Sequence, residues 1–380
     1  MISFRLRRFL SKILKLYHTT VYYLVETLYF TKKKKSSLEF VLIVKLDAIG
    51  DYVLFRNFLE ILKNDASFKN KKIILIGNRS WKEIFDKFDS KFVFDSYFVD
   101  RVKLFKNPFY FKKVLSFIDK YNFEYAFNPS YSRDFISDLF IKHSAAKKRV
   151  GFEFKDVTNI YSYQAKISDR FYTNLIKPNE GVVFEFYRNK EFFENILFKK
   201  INLIKPTFKN KNNYKNSIVV FPGAGEIRRQ WSEHNFAQAI IFLQNKYPSY
   251  NIFICGSNND YMIGQNILNK LKSTQNVFNL CGQTKLSEFV ELLGNTKLLI
   301  SNETSSVHIG VAASTKNIIC ISNGNHLFRF NPYPPEIYIN SKYFYPAKLN
   351  KIKLSGKFSF LDINKIDLKE VILFLSNLKI

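Results

Sequence analysis

Residues Val41 to Lys63 read VLIVKLDAIGDYVLFRNFLEILK, and this stretch decides the fold. Phe40 to Lys45 is a short apolar run that reads as a buried strand, and Tyr52 to Lys63 carries apolar residues at helical spacing. Outward from this unit the same alternation continues. Lys72 to Ile76, Phe92 to Val99 and Glu124 to Phe127 read as strands; Trp81 to Phe88, Phe109 to Tyr121 and a segment near Asp134 to Ile141 read as helices. Strands alternating with helices are the mark of βαβ units and a parallel sheet.

The stretch from Phe152 to Asn216 is less regular, holds a helix around Val183 to Ile196, and ends in the polar run KNKNNYKN, which marks a domain boundary. Beyond it the plan repeats. Ser217 to Phe221, Asn251 to Cys255, Val277 to Leu280, Lys297 to Ser301 and Asn317 to Ser322 read as five strands. Glu233 to Tyr247, Asp260 to Lys272, Leu286 to Gly294 and Ser305 to Ala313 are the helices between them. A last helix, Leu368 to Leu378, is capped by Asp367. The expected class is α/β: two Rossmann-like, doubly wound parallel-sheet domains, 39–216 and 217–345, facing across a cleft. A segment 1–38 precedes them and an extension 346–380 follows. Open α/β sheets bind ligands at their strand C-termini, so the cleft is the expected site.

Composition agrees with a folded enzyme-sized chain. Of 380 residues, 46% are hydrophobic and 17% aromatic, which excludes disordered, collagenous and low-complexity classes. Cys255, Cys281 and Cys320 are far apart and form no metal or disulfide framework. Lys and Arg number 59 against 32 acids, a net charge of +27, so the partners carry negative charge. Part of that excess lies in 1–38, where Arg5, Arg7, Arg8, Lys12, Lys15 and Lys32 to Lys35 face one acid, Glu26. Ile2, Leu6, Phe9, Leu10, Ile13, Leu14 and Tyr17 form an apolar stripe on the same helix, a pattern that lies on an anionic membrane surface. Packing on the protein body is the competing reading. Val21 to Phe30, broken by Glu26, is too short to span a bilayer, and no signal-peptide cleavage pattern follows it.

The strand-end loops carry the chemistry. Lys45-Leu46-Asp47-Ala48-Ile49-Gly50-Asp51 follows the first strand, with a helix opening after Gly50 and Asp51 seated as a candidate catalytic carboxylate or as a helix cap. Pro222-Gly223-Ala224-Gly225 is a Gly-rich turn feeding Arg228, Arg229 and Trp231; it suits a pyrophosphate or is an ordinary turn. Ser301-Asn302-Glu303-Thr304-Ser305-Ser306-Val307-His308 runs from a buried strand into a helix N-terminus able to hold phosphate oxygens. His308 faces that ligand or is a core histidine. Gly256 and Gly282 open two further strand-end loops. Lys147, Lys148 and Arg149 are a charge cluster that either binds an anionic acceptor or is solvated.

In their order these loops resemble glycosyltransferase family 9, the heptosyltransferases of the lipopolysaccharide core. The matching stretches are 41–63, FPGAGEIRRQWSEHNFAQAI (221–240), FICGSNND (253–260) and LCGQTKLSEFVELLGNTKLLISNETSSVHIGVAAST (280–315). The resemblance implies a GT-B fold, an acceptor held mainly by the first domain, a sugar nucleotide of the ADP-heptose type held mainly by the second, and inverting transfer. It implies that Asp51 is catalytic, that Lys45 and Gly50 meet the acceptor, and that a basic residue near Arg229 meets the donor phosphates. The family's D-T-G-x-x-H motif falls on Glu303, Thr304, Ser305 and His308, with Gly223, Gly225, Arg228, Gly256 and Ser306 as further donor contacts. Glu303 stands in place of Asp and Ser305 in place of Gly, which is expected to crowd the donor phosphates and bears on donor choice. The implied reaction needs no metal and no cofactor beyond the nucleotide-sugar co-substrate. Its implied place is the cytoplasmic face of the inner membrane, where the anionic glycolipid acceptor is presented. Two other classes fit parts of the sequence: a degenerate GT-B protein that binds nucleotide or scaffolds an assembly, and a basic nucleic-acid-binding protein, although no nucleic-acid-binding signature is present.

Overall fold

The computed structural model describes residues 16–17, 19–29, 39–154, 167–209, 212–346 and 359–380. The basic stripe at 1–15 and the lysines at 32–35 lie outside them. The chain divides into two compact units, one of 1–180 with 187–202 and one of 181–186 with 203–380. Residues 203–216 and the C-terminal segment thus belong with the second unit. The helix Leu368–Asn377 buries Val371 and Leu375 in that unit's core, so the C-terminal helix is part of the domain and not an appendage.

The first unit contains a six-stranded, wholly parallel sheet ordered β3-β2-β1-β4-β5-β6. Its strands are β1 Phe40–Lys45, β2 Lys72–Asn78, β3 Asp95–Val99, β4 Phe123–Asn128, β5 Lys148–Phe152 and β6 Asn174–Ile176. In β1 the run Val41–Lys45 is buried throughout, as expected of a central strand covered on both faces. The second unit repeats the topology as β12-β11-β10-β7-β8-β9. Its strands are β7 Ser217–Phe221, β8 Asn251–Ile254, β9 Val277–Asn279, β10 Leu298–Asn302, β11 Ile318–Ile321 and β12 Ser341–Phe344. In each sheet the first strand pairs with the second on one side and the fourth on the other. The topological switch points therefore fall at the ends of β1/β4 and β7/β10, where loops part and leave room for a ligand.

Each sheet has six strands, not five in the second unit as expected. β12 was missed there, as were β5 and β6 in the first unit. β5 opens with Lys148 and Arg149, and the other two are edge strands of three or four residues without a clean apolar run. The helix expected over 52–63 is two helices, Ile49–Phe55 and Asn57–Asn64, joined at Arg56. It also begins before Gly50, not after it. Phe92 is excluded from β3 by a tight turn at Ser90–Phe92. A helix not expected at all, Arg101–Lys106, follows β3; it ends where Asn107 caps Pro108–Ile118 by accepting hydrogen bonds from Phe109 and Tyr110 N–H at 2.9 and 3.1 Å.

Residues 19–28 are helical and pack on the first unit. Tyr22 donates its hydroxyl proton to the Leu104 carbonyl and meets Phe111 edge-on at 5.0 Å, while the Tyr29 and Ser116 hydroxyls are 2.6 Å apart. Glu26 is buried between Lys142 and His143. Burial would raise its pKa, but hydrogen bonds and charge from those two side chains hold it below the ordinary value. One face of 19–28 thus packs on the first unit, while the basic stripe for which packing and membrane contact were the two readings lies outside the described residues but for its last residue, Tyr17. Among the described residues no helix is long and apolar enough to cross a membrane.

All three cysteines are buried and free. Burial pushes the Cys281 thiol up to about 12 and raises those of Cys255 and Cys320 well above the ordinary value.

Candidate functional site

At the switch point of the first sheet, the loop after β1 is pinned from both neighbouring strands. The Asn78 amide donates to the carbonyls of Leu46 and Asp47, both at 3.1 Å, and the Trp81 indole N–H to the Asp47 carbonyl at 3.1 Å. The Lys45 ammonium is buried and lies 2.7 Å from the Asp47 carboxylate, which also accepts a 2.5 Å hydrogen bond from Ser130 at the end of β4. Burial alone would raise Asp47; the Lys45 charge, with help from the Ser130 hydroxyl and Arg101, holds it ionised. Lys45 thus presents its charge to Asp47. Held by this loop, Asp51 sits half-buried in the first turn of Ile49–Phe55. The helix N-cap is Ala48, so Asp51 is not the cap. Gly50 lies inside the same turn, with helical backbone. The cluster Lys147 to Arg149 lies at the opposite, N-terminal end of β5, where Arg149 donates to the carbonyls of Phe171 and Ala146 at 2.6 Å.

At the switch point of the second sheet, Asn302 joins the two loops. Its amide donates to the Pro222 carbonyl at 2.6 Å and its oxygen accepts from the Trp231 N–H at 3.1 Å. Gly223 and Gly256 are needed for packing: a Cβ on Gly223 would stand 2.5 Å from the Asp260 carboxylate, and one on Gly256 would stand 2.7 Å from the Asp260 Cβ. Asp260 in turn accepts from the Ser257 N–H at 2.7 Å and hydroxyl at 2.6 Å, a capping box. Gly225 has open space where a side chain would be.

Arg229 is the cation of this pocket. It donates to the Glu303 carbonyl, lies 3.9 Å from the Glu303 carboxylate, and keeps a buried Nε with no acceptor among the described residues. Arg228 is turned elsewhere; it pairs with Glu226, donates to the Ser359 carbonyl at 2.6 Å and covers the Phe360 ring at 5.2 Å. Glu303 does not crowd the loop as its extra methylene led us to expect. Its carboxylate is folded inward, buried, and accepts a 2.6 Å hydrogen bond from the Ser322 hydroxyl. Burial pushes its pKa up to about 7, against the pull of Arg229 and the hydrogen bonds of Ser322 and Asn331.

His308 is buried one turn inside the helix Ser305–Ala313, its Nδ1 2.7 Å from the Tyr333 hydroxyl. Burial, then the Arg229 charge, lowers its pKa to about 4, so the imidazole is neutral near pH 7. Ser306 is buried against Ser301, with their hydroxyls 2.6 Å apart; Thr304 is the helix N-cap and makes no side-chain capping bond. The loops of this switch point therefore bring together the Arg229 guanidinium, an acid whose pKa is raised to about 7 and the N–H groups of a helix start, a set suited to an oxyanion. Among the described residues no three or more His, Cys, Asp or Glu side chains form a metal-holding group.

A family model described as glycosyltransferase family 9 (heptosyltransferase) matches residues 128–353. The chain belongs to glycosyltransferase family 9. Within the family, lipopolysaccharide heptosyltransferase 2 of Salmonella typhimurium is 32% identical over 95 residues, which is 24% of this chain and 26% of that protein. The chain thus spans about a quarter of the length of the curated relative it matches. Two solved structures share the fold. A family 9 glycosyltransferase from Veillonella parvula is 13% identical, with 90% of this chain and 97% of that one covered at a TM-score of 0.67; E. coli heptosyltransferase WaaC with ADP is 14% identical, with 89% and 97% covered at 0.65.

Sequence reasoning missed several residues that build these two pockets. Asp260 was within reach, since Ser257-x-x-Asp260 has capping-box spacing. Tyr333, Ser322, Ser130 and the pinning role of Asn302 had no local signal, because each acts on a partner distant in the chain or on a neighbouring strand.

Proposed function

We propose that the chain is an inverting glycosyltransferase that moves heptose or a related sugar from an ADP-sugar to a lipopolysaccharide-type glycolipid. The observation that carries this reading is Arg229, placed at the β7/β10 switch point with a donor-capable Nε that no group among the described residues satisfies. A leaving diphosphate supplies such an acceptor, and the start of Ser305–Ala313 adds N–H donors where charge develops. His308 is neutral near pH 7, so it orients or hydrogen-bonds and carries no charge. In the first unit, Asp51 takes the proton of the acceptor hydroxyl as that oxygen attacks the anomeric carbon from the face opposite the nucleotide; the glycosidic bond to the acceptor forms as the sugar–phosphate bond breaks, and the diphosphate leaves with the bond's electrons. Arg229 and the helix start meet the developing charge, and the reading assigns that duty to no metal. The acceptor's lipid anchor gives the basic 1–38 segment its use: it holds the enzyme on the cytoplasmic leaflet.

The test is transfer by the purified chain from ADP-heptose to an acylated, sugar-bearing acceptor, with Asp51→Asn as the variant. The expected loss in kcat is about 10²–10⁴-fold, the usual contribution of a positioned base, with unchanged affinity for ADP. An Asp51→Asn protein as active as the parent would remove the mechanism.

A further inference from the structure

The helices at the C-terminal edge of the first sheet carry an apolar surface that no described residue covers. In Arg101–Lys106 and Pro108–Ile118, Leu104 and Phe111 point into the core while Val102, Phe105 and Phe109 point out; Phe109 is 79% exposed. The helical residues 19–28 pack against these two helices and carry exposed apolar residues of their own. Their buried face holds Tyr22 and Glu26, and the opposite face holds Leu24 and Leu28, with Tyr17 a turn or two before. The two parts are joined by direct contacts: Tyr22 to Leu104 and Phe111, and the Lys112 ammonium 5.3 Å above the Tyr29 ring. Arg101, Lys103, Lys106, Lys112 and Lys113 surround the apolar residues, and no acid occurs from 101 to 118.

From these exposed apolar residues and the cations around them we infer that 101–113, with 19–28 packed beside it, forms a membrane-docking face that inserts Phe105 and Phe109 between anionic lipid headgroups. Large apolar side chains within a ring of cations match both layers of a bilayer interface. Base stacking does not account for Val102, Leu24 and Leu28, which are aliphatic. A second copy of this chain brings the same five cations to a self-complementary contact, where they repel. Position supports the assignment. Arg101 follows the end of β3 and is close enough to help hold Asp47 ionised, so the face begins beside the loop that carries Asp51. A lipid-borne acceptor entering that loop has its acyl chains next to this face, a point that rests on the proposed acceptor class.

The experiment is flotation of the full chain with phosphatidylcholine vesicles, with and without phosphatidylglycerol. The variants are Phe105→Ser/Phe109→Ser, Lys103→Glu/Lys106→Glu and, separately, Arg5→Glu/Arg7→Glu/Arg8→Glu. The parent is expected to float only with the anionic lipid. Removal of each near-surface cation is expected to lower partitioning about five-fold, and charge reversal more. The two pairs on the face should both weaken binding; the lysine pair and Phe109 are well exposed, and because Phe105 is only 36% exposed, Phe109→Ser alone is carried beside the double variant as the one expected to keep its thermal midpoint. If binding depends on the N-terminal arginines alone, or if the face variants abolish self-association and leave flotation intact, the inference is overturned. Transfer to a water-soluble, deacylated acceptor separates this result from the proposed activity. It should persist in the face variants, and its absence from the parent as well would remove the enzymatic reading without touching the vesicle result.

Discussion

At the scale of single residues, the second-unit pocket is a balance of one cation against one acid whose charge is not fixed. Glu303 has a pKa raised to about 7, above the ordinary carboxylate value. The sign follows. A folded-state pKa raised in this way contributes stability that is present below the ordinary value and lost as pH rises through about 7. On the proposed function, a diphosphate arriving beside Arg229 is expected to raise the pKa further, so that donor binding takes up a proton. Affinity for ADP is therefore expected to fall as pH rises through neutrality, by at most about tenfold per pH unit, and Glu303→Gln should flatten that slope. Calorimetric titration of ADP on either side of neutrality checks this; an unchanged slope in Glu303→Gln would place the proton elsewhere. The identities of Asp51, Arg229, Glu303 and His308 were legible because strand-end loops carry polar residues that a buried strand does not. The shifts of Glu303 and His308 were not, since they come first from burial in the folded unit and then from Arg229, which lies more than 70 residues away in the chain.

At the scale of elements, Arg56 explains why one amphipathic pattern became two helices. It sits between Ile49–Phe55 and Asn57–Asn64 and makes a two-pronged ion pair with buried Asp89, at 2.7 and 2.9 Å, while Tyr52 donates to the same carboxylate at 2.6 Å. Asp89 caps the C-terminus of Lys82–Phe88, and Tyr52 stacks on Trp81 at 3.9 Å, so the group ties the helix bearing Asp51 to the segment after β2. Arg56→Met leaves a carboxylate buried with no cation and should cost about 3–5 kcal/mol in urea unfolding. Arg56→Met/Asp89→Asn removes the orphaned charge and should recover part of that loss; a double variant as unstable as the single one would mean that the arginine matters for packing alone. Periodicity located these helices to within a few residues. It could not show the joint, because Arg56 is an ordinary polar position in a helical pattern until Asp89 is beside it.

At the scale of the whole molecule, each unit has its own sheet and its own buried core, of Leu42, Ile74 and Phe140 among others in the first and Ile218, Ile300 and Ile319 in the second. Units with separate cores unfold as separate cooperative blocks. ADP is expected to raise the thermal transition of the second block, by about 2.7 kcal/mol at a hundredfold excess over Kd, and to leave the first in place. Equal shifts of both, followed by calorimetry, would count against a donor held by the second unit. The repeat of topology was readable because both halves spell the same alternation of apolar runs and amphipathic helices, whereas the edge strands β6 and β12 gave too few apolar residues to be seen. The three sequestered thiols of the second unit have a practical consequence. Because Cys255, Cys281 and Cys320 are buried with pKa values far above neutrality, maleimide and nitroxide reagents will pass them by. One introduced surface cysteine on either unit then accepts a spin label in the otherwise unaltered chain, so a reporter can be placed beside one loop at a time without first removing native thiols.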